Sequence, residues 1–64
     1  MAYSEAIRAL RKKLILSQTE FAKLLGVSFA TVNRWESGRF EPTIKSKRKL
    51  ALYFKKYKID LGDK

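Results

Sequence analysis

The chain has 64 residues, no cysteine and no histidine, and its 15 lysines and arginines outweigh 6 acids to give a net charge of +9. That length allows one domain with a small core. The missing residues exclude a disulfide framework and thiolate metal sites, and remove the commonest general base and metal ligand. The charge is a large positive field for so short a chain and attracts polyanions. No apolar run approaches the ~20 residues of a membrane span. The opening MAYSEAIRAL carries Glu5 and no continuous apolar stretch, so no signal peptide is expected.

The first predicted helix starts at Ser4 as a candidate cap, with Ile7, Leu10, Arg11 and Leu14 recurring at helical spacing. Arg8, Lys12 and Lys13 fall on its other face. Ser17-Gln18-Thr19-Glu20 reads as a capping box: the serine accepts from the third backbone N–H of the helix, and the glutamate reaches back. The second helix would bury Phe21, Leu24 and Leu25, with small Ala22 where another helix crosses. Gly26 suits a left-handed helix stop, and Val27 can plug the core in the turn. Ser28 is the predicted cap of the third helix, which ends at Ser37-Gly38 and turns Val32 and Trp35 inward. Arg39 to Pro42 is a loop. Thr43 would cap the fourth helix, with Ile44, Leu50, Ala51 and Phe54 inward. Residues 1–58 are expected to form one domain, and 59–64 a fraying tail.

Two short helices around one glycine form the pattern of a helix-turn-helix, whose second helix lies in the DNA major groove. The fold class is therefore all-α, a compact bundle of four or five short helices. Once Val32 and Trp35 define the inward stripe of the third helix, Phe29, Ala30, Asn33, Arg34 and Ser37 lie off it. Asn33 can pair in bidentate fashion with adenine and Arg34 with guanine, while Phe29 can pack on a thymine methyl. Ala30 is small enough for close backbone approach to the groove. Each has an ordinary alternative: Phe29 a core or dimer contact, Asn33 and Arg34 solvated or phosphate-bound side chains. Ser28 and Ser37 can cap or hold phosphate, with capping favoured for Ser28. Trp35 reads as core, its indole N–H able to reach a phosphate from the edge. Gly38 and Arg39 suit a phosphate through backbone N–H groups and the guanidinium. Lys45 lies near a helix N-terminus and the loop, and is the favoured DNA contact in a dense basic stretch with Lys47, Arg48 and Lys49.

Residues 4 to 55 resemble the Cro/cI-type, lambda-repressor-like helix-turn-helix of phage repressors and small bacterial regulators. The resemblance is carried by Ser17-Gln18, by Ala22, Gly26 and Val32, and by the phrase Arg34-Trp35-Glu36-Ser37-Gly38. It implies a domain that binds an operator, usually as a homodimer, in the cytoplasm of a bacterial or phage-infected cell. It also implies a phosphate contact for Gln18, aided by the helix N-terminus, and a partly buried structural ion pair between Arg11 and Glu36. Two departures stand out. Members usually carry a fifth helix or an extension that dimerises, and here the chain ends soon after helix four. Lys47 stands where an apolar residue is common, so its stem is expected to snorkel over the core edge or the helix to turn slightly.

These observations lead to a sequence-specific binder of double-stranded DNA, a transcriptional regulator of repressor type, with no cofactor, no metal and no catalytic residue. The competing reading is an antitoxin-like protein-interaction module, with Phe40, Tyr53, Tyr57 and Ile59 as its patch. A basic amphipathic peptide acting on anionic membranes is opposed by Gly26, Pro42 and the capping box, which speak for a folded bundle. An enzyme is disfavoured, because six scattered carboxylates form no acid–base or nucleophile constellation.

Overall fold

Small polar residues and left-handed turns write the helix boundaries of this chain. The computed structural model describes residues 3–59 and contains α1 (Tyr3–Lys13), α2 (Gln18–Leu25), α3 (Phe29–Ser37) and α4 (Ile44–Lys56), with no strand among the described residues. The capping box is formed: Glu20 N–H donates to Ser17 Oγ at 3.1 Å, and Ser17 N–H donates to Glu20 Oε1 at 2.9 Å. The hydrogen bond from the Ser17 backbone holds the Glu20 carboxyl below the ordinary carboxylate range. Ser28 and Thr43 accept in the same way from Thr31 and Ser46. Ser4 does not cap α1, because helical geometry already includes Tyr3 before it.

All four helices end in one hydrogen-bond pattern, in which consecutive N–H groups donate back three and five residues. The pairs are Ile15 to Lys12 and Leu16 to Arg11, Gly26 to Lys23 and Val27 to Ala22, Gly38 to Trp35 and Arg39 to Arg34, and Lys58 to Lys55 and Ile59 to Phe54. Each needs a residue with positive φ, supplied by Ile15 (57°), Gly26 (74°), Gly38 (81°) and Lys58 (57°). Glycine enters that region without strain, whereas a β-branched residue pays about 1–2 kcal/mol there. Ile15 is 87% exposed, so its side chain recovers little through burial. Ile15→Gly is therefore expected to stabilise the domain by up to about 1 kcal/mol, after the looser unfolded chain offsets part of the relief. A urea midpoint below that of the parent would count against the strain at this turn.

The core joins Ala6, Ile7 and Leu10 of α1, Phe21, Ala22 and Leu25 of α2, Val32 and Trp35 of α3, and Leu50 and Phe54 of α4. α3 packs against both α1 and α2, and α4 packs against α1. Three residues expected inside are exposed: Leu24, Ile44 and Ala51. In α2 the buried side is centred between Phe21, Ala22 and Leu25, and Leu24 lies about 100° away from that centre. Ile44 is six residues before Leu50, about 240° around α4, and Ala51 sits at the edge of the stripe that Leu50 and Phe54 define. Leu14 and Val27 are half-buried rather than central.

Lys47 falls on the inward side of α4 and resolves its position by snorkelling. Its ammonium lies 4.9 Å from the centre of the Tyr3 ring and 3.2 Å from Glu41 Oε1. Ile59, assigned to the tail from sequence, is half-buried against the core. The remainder of that tail, 60–64, lies outside the described residues.

Candidate nucleic-acid interface

The geometry of α3 follows from a buried polar anchor. Glu36 is the only buried charged residue among the described residues, at 6% exposure. Arg11 of α1 reaches it with two parallel bonds, Nε to Oε2 at 2.7 Å and Nη2 to Oε1 at 3.0 Å, while its Nη1 donates to Leu16 O at 3.1 Å. Gln18 of α2 donates its amide Nε2 to Glu36 Oε1 at 3.1 Å. The hydrogen bond to Glu36 raises the Arg11 pKa above its ordinary value, outweighing burial, which acts the other way. The sequence-predicted pair is thus in contact. One carboxylate connects three helices, and no buried side-chain nitrogen or oxygen lacks a partner among the described residues.

Sequence inspection missed a second arginine in this cluster. Arg8 Nη2 donates to the main-chain oxygen of Glu36 at 2.7 Å, satisfying a carbonyl in the last turn of α3. The available signal was its spacing: Arg8 precedes Arg11 by three residues, which puts both on neighbouring parts of one helix surface.

With Val32, Trp35 and Glu36 turned inward, the opposite side of α3 is left to solvent. Phe29, Ala30, Asn33, Arg34, Ser37 and Arg39 line one shallow groove of about 360 Å³. The four residues expected to touch bases are therefore neighbours, and all four are exposed. Phe29 is half exposed and stands outside the core cluster.

Of the residues expected to touch phosphates, Ser37 and Arg39 line this same groove. Gln18 is half-buried; one hydrogen of its amide is directed at Glu36 and the other remains for an outside acceptor. Ser28 caps α3, and its hydroxyl lies 2.9 Å from Thr31 Oγ1. Trp35 is 4% exposed, which leaves only an edge of its ring for any outside contact. Ser37 Oγ donates to Arg34 O at 2.9 Å. The N–H groups of Gly38 and Arg39 turn back onto Trp35 and Arg34, so the Arg39 guanidinium is the donor that this loop extends outward. Lys45 is exposed in the first turn of α4 and lines a second concavity with Leu25, Gly26, Val27, Ser46 and Lys49. Lys49 donates to Leu25 O at 3.1 Å and so completes the end of α2.

Among the described residues no group of three or more acids could hold a metal ion, and no helix is long and apolar enough to cross a membrane. What the arrangement offers is a rigid helix with amide, guanidinium and apolar groups on its outer side. Residues 7–61 match the helix-turn-helix family, and the chain belongs to that family, in its Cro/cI-type form of DNA-binding regulators. Neither a curated protein nor a solved structure matches the chain.

Proposed function

We propose that this protein is a sequence-specific transcriptional regulator of repressor type that places α3 in the major groove of an operator. The observation that carries the reading is the groove on the outer side of α3. Its lining residues serve no core, and they include the two side chains best suited to bidentate pairing with purines, Asn33 and Arg34. A net charge of +9 supplies the non-specific attraction to the duplex. Gln18, Lys45 and Arg39 hold phosphates, and Gln18 does so with its amide oriented by Glu36. Such a regulator works in the cytoplasm of a bacterial or phage-infected cell and needs no cofactor. Two copies on a two-fold symmetric site would read half-sites about one helical turn apart.

No specific observation favours the competing protein-interaction reading: Tyr53, Tyr57 and Ile59 are partly buried against the core, and Phe40 lies beside Arg34.

The test is selection from random duplex DNA followed by binding of variants across a salt series. Arg34→Ala is expected to lose about 1–3 kcal/mol and to relax preference at one base pair. Gln18→Ala should weaken all sequences alike. Arg39→Ala should do so too, and lower the salt slope by about one, since one counterion fewer is released. Uniform weakening by Arg34→Ala would reassign that residue to phosphate. A parent protein that prefers no duplex would end the regulator reading.

A further inference from the structure

We propose that Phe40 is a positioning residue for base readout: its ring holds the Arg34 guanidinium in a fixed orientation at the edge of the α3 groove. The inference deepens the readout role proposed for Arg34 and rests on it. Phe40 is 58% exposed and belongs to no core cluster, so burial gives no reason for an aromatic residue in this loop. The contact that the structure gives it is with Arg34, whose guanidinium carbon lies over the ring at 5.6 Å from its centre. That is within the ~6 Å range of attraction between a cation and a ring face.

The turn after α3 makes this contact a product of the backbone rather than of chance proximity. Gly38 takes positive φ, Arg39 N–H donates to Arg34 O at 3.3 Å, and Ser37 Oγ donates to the same oxygen at 2.9 Å. The chain is thereby closed onto the residue whose side chain Phe40 then meets. Phe40 is not among the six residues that line the groove, whereas Arg34 is. The ring thus meets Arg34 outside the groove that Arg34 lines.

The physical effect is pre-organisation. A free arginine gives up several rotamers when it pairs with guanine, and one already held in place gives up fewer. An aromatic ring offers no strong hydrogen-bond acceptor, so the guanidinium N–H donors stay available for the bidentate pair. Removing the ring should weaken the selected site by about three- to tenfold, the range set by immobilising one flexible side chain. The loss should fall on the base pair that Arg34 reads.

The experiment measures binding of the full chain and of Phe40→Ala, Phe40→Tyr, Arg34→Ala and the double variant Phe40→Ala/Arg34→Ala to the selected duplex and its single-base variants. Thermal melts confirm that each is folded. Relaxation of the Arg34 Nε–H group by NMR reports its order in the free protein. The expected result is that Phe40→Ala loses affinity, flattens preference at the Arg34 base pair alone and loosens Arg34. Phe40→Tyr should restore all three, and Phe40→Ala should change nothing further once Arg34 is alanine. Tighter binding by Phe40→Ala would overturn the proposal by making the Arg34–Phe40 contact one that DNA must break. An undiminished loss in the Arg34→Ala background would overturn it by making Phe40 a direct DNA contact. If Arg34→Ala leaves the base profile unchanged, the readout role itself fails. If Arg34→Ala flattens one position and Phe40→Ala does not, only the inference about Phe40 fails.

Discussion

Glu36→Ala is expected to destabilise the domain by about 3–5 kcal/mol, towards the lower end because water reaches one partner. The Glu36 carboxylate accepts from Arg11 Nε and Nη2 and from Gln18 Nε2, and is itself buried. Alanine would remove all three bonds and leave the Arg11 guanidinium, whose side chain is 18% exposed, with Leu16 O as its remaining acceptor. The cost is dominated by that stranded cation rather than by the worth of the pair. Arg11→Met in the Glu36→Ala background should therefore recover part of the loss. Urea unfolding of the parent, both single variants and the double variant measures this, and strict additivity would be incompatible with direct coupling.

Phe21→Ala is expected to cost a similar amount, about 3–5 kcal/mol, for a different reason. Phe21 is fully buried and is the largest side chain in that state. Its removal loses transfer energy and leaves a void that a rigid helix packing fills only in part. A domain of this size holds about 3–10 kcal/mol in total, so this one substitution is comparable with the entire stability. Circular dichroism should show a largely unfolded chain near physiological temperature. The selected duplex should restore helicity, since it binds only the folded form. A cooperative melt within a few degrees of the parent would mean that α2 re-seats itself and that Phe21 is not the keystone its burial implies.

Much of the fold was legible because its signals are local. Ser17, Ser28 and Thr43 cap helices through their own side chains, and Gly26 and Gly38 stop helices through their own backbone freedom, so residue type is enough to find them. Ile15 and Lys58 occupy the same left-handed position at the other two helix ends. Their residue types argue against it, and only the packing of the following segment imposes it. The phase of α2 and α4 was partly hidden for a related reason. A leucine or isoleucine announces that it can be buried, while the angle at which a neighbour arrives decides whether it is. Small Ala22 lies inside because another helix comes close there, and that turns Leu24 outward.

In the candidate site, the grouping of Phe29, Ala30, Asn33, Arg34 and Ser37 was readable from helical period once Val32 and Trp35 were fixed inward. The detailed engagement of each atom was not. The proton of Ser37, the N–H groups of Gly38 and Arg39, and one hydrogen of Gln18 are committed to partners within the protein. Phe40 looked like a sticky surface residue because nothing in its own neighbourhood of sequence points six residues back to Arg34.

The two sides of α3 share no residue: Val32, Trp35 and Glu36 face the interior, and Phe29, Ala30, Asn33 and Arg34 face outward. Inheritance can therefore act on them separately. A lineage could exchange its outward side chains, and with them, on the function proposed for α3, the address it recognises, while the scaffold that must fold stays as it was. Phe40 qualifies that independence. A descendant that replaced Arg34 would leave an aromatic ring exposed with nothing to hold, so positions 34 and 40 are expected to drift as a pair.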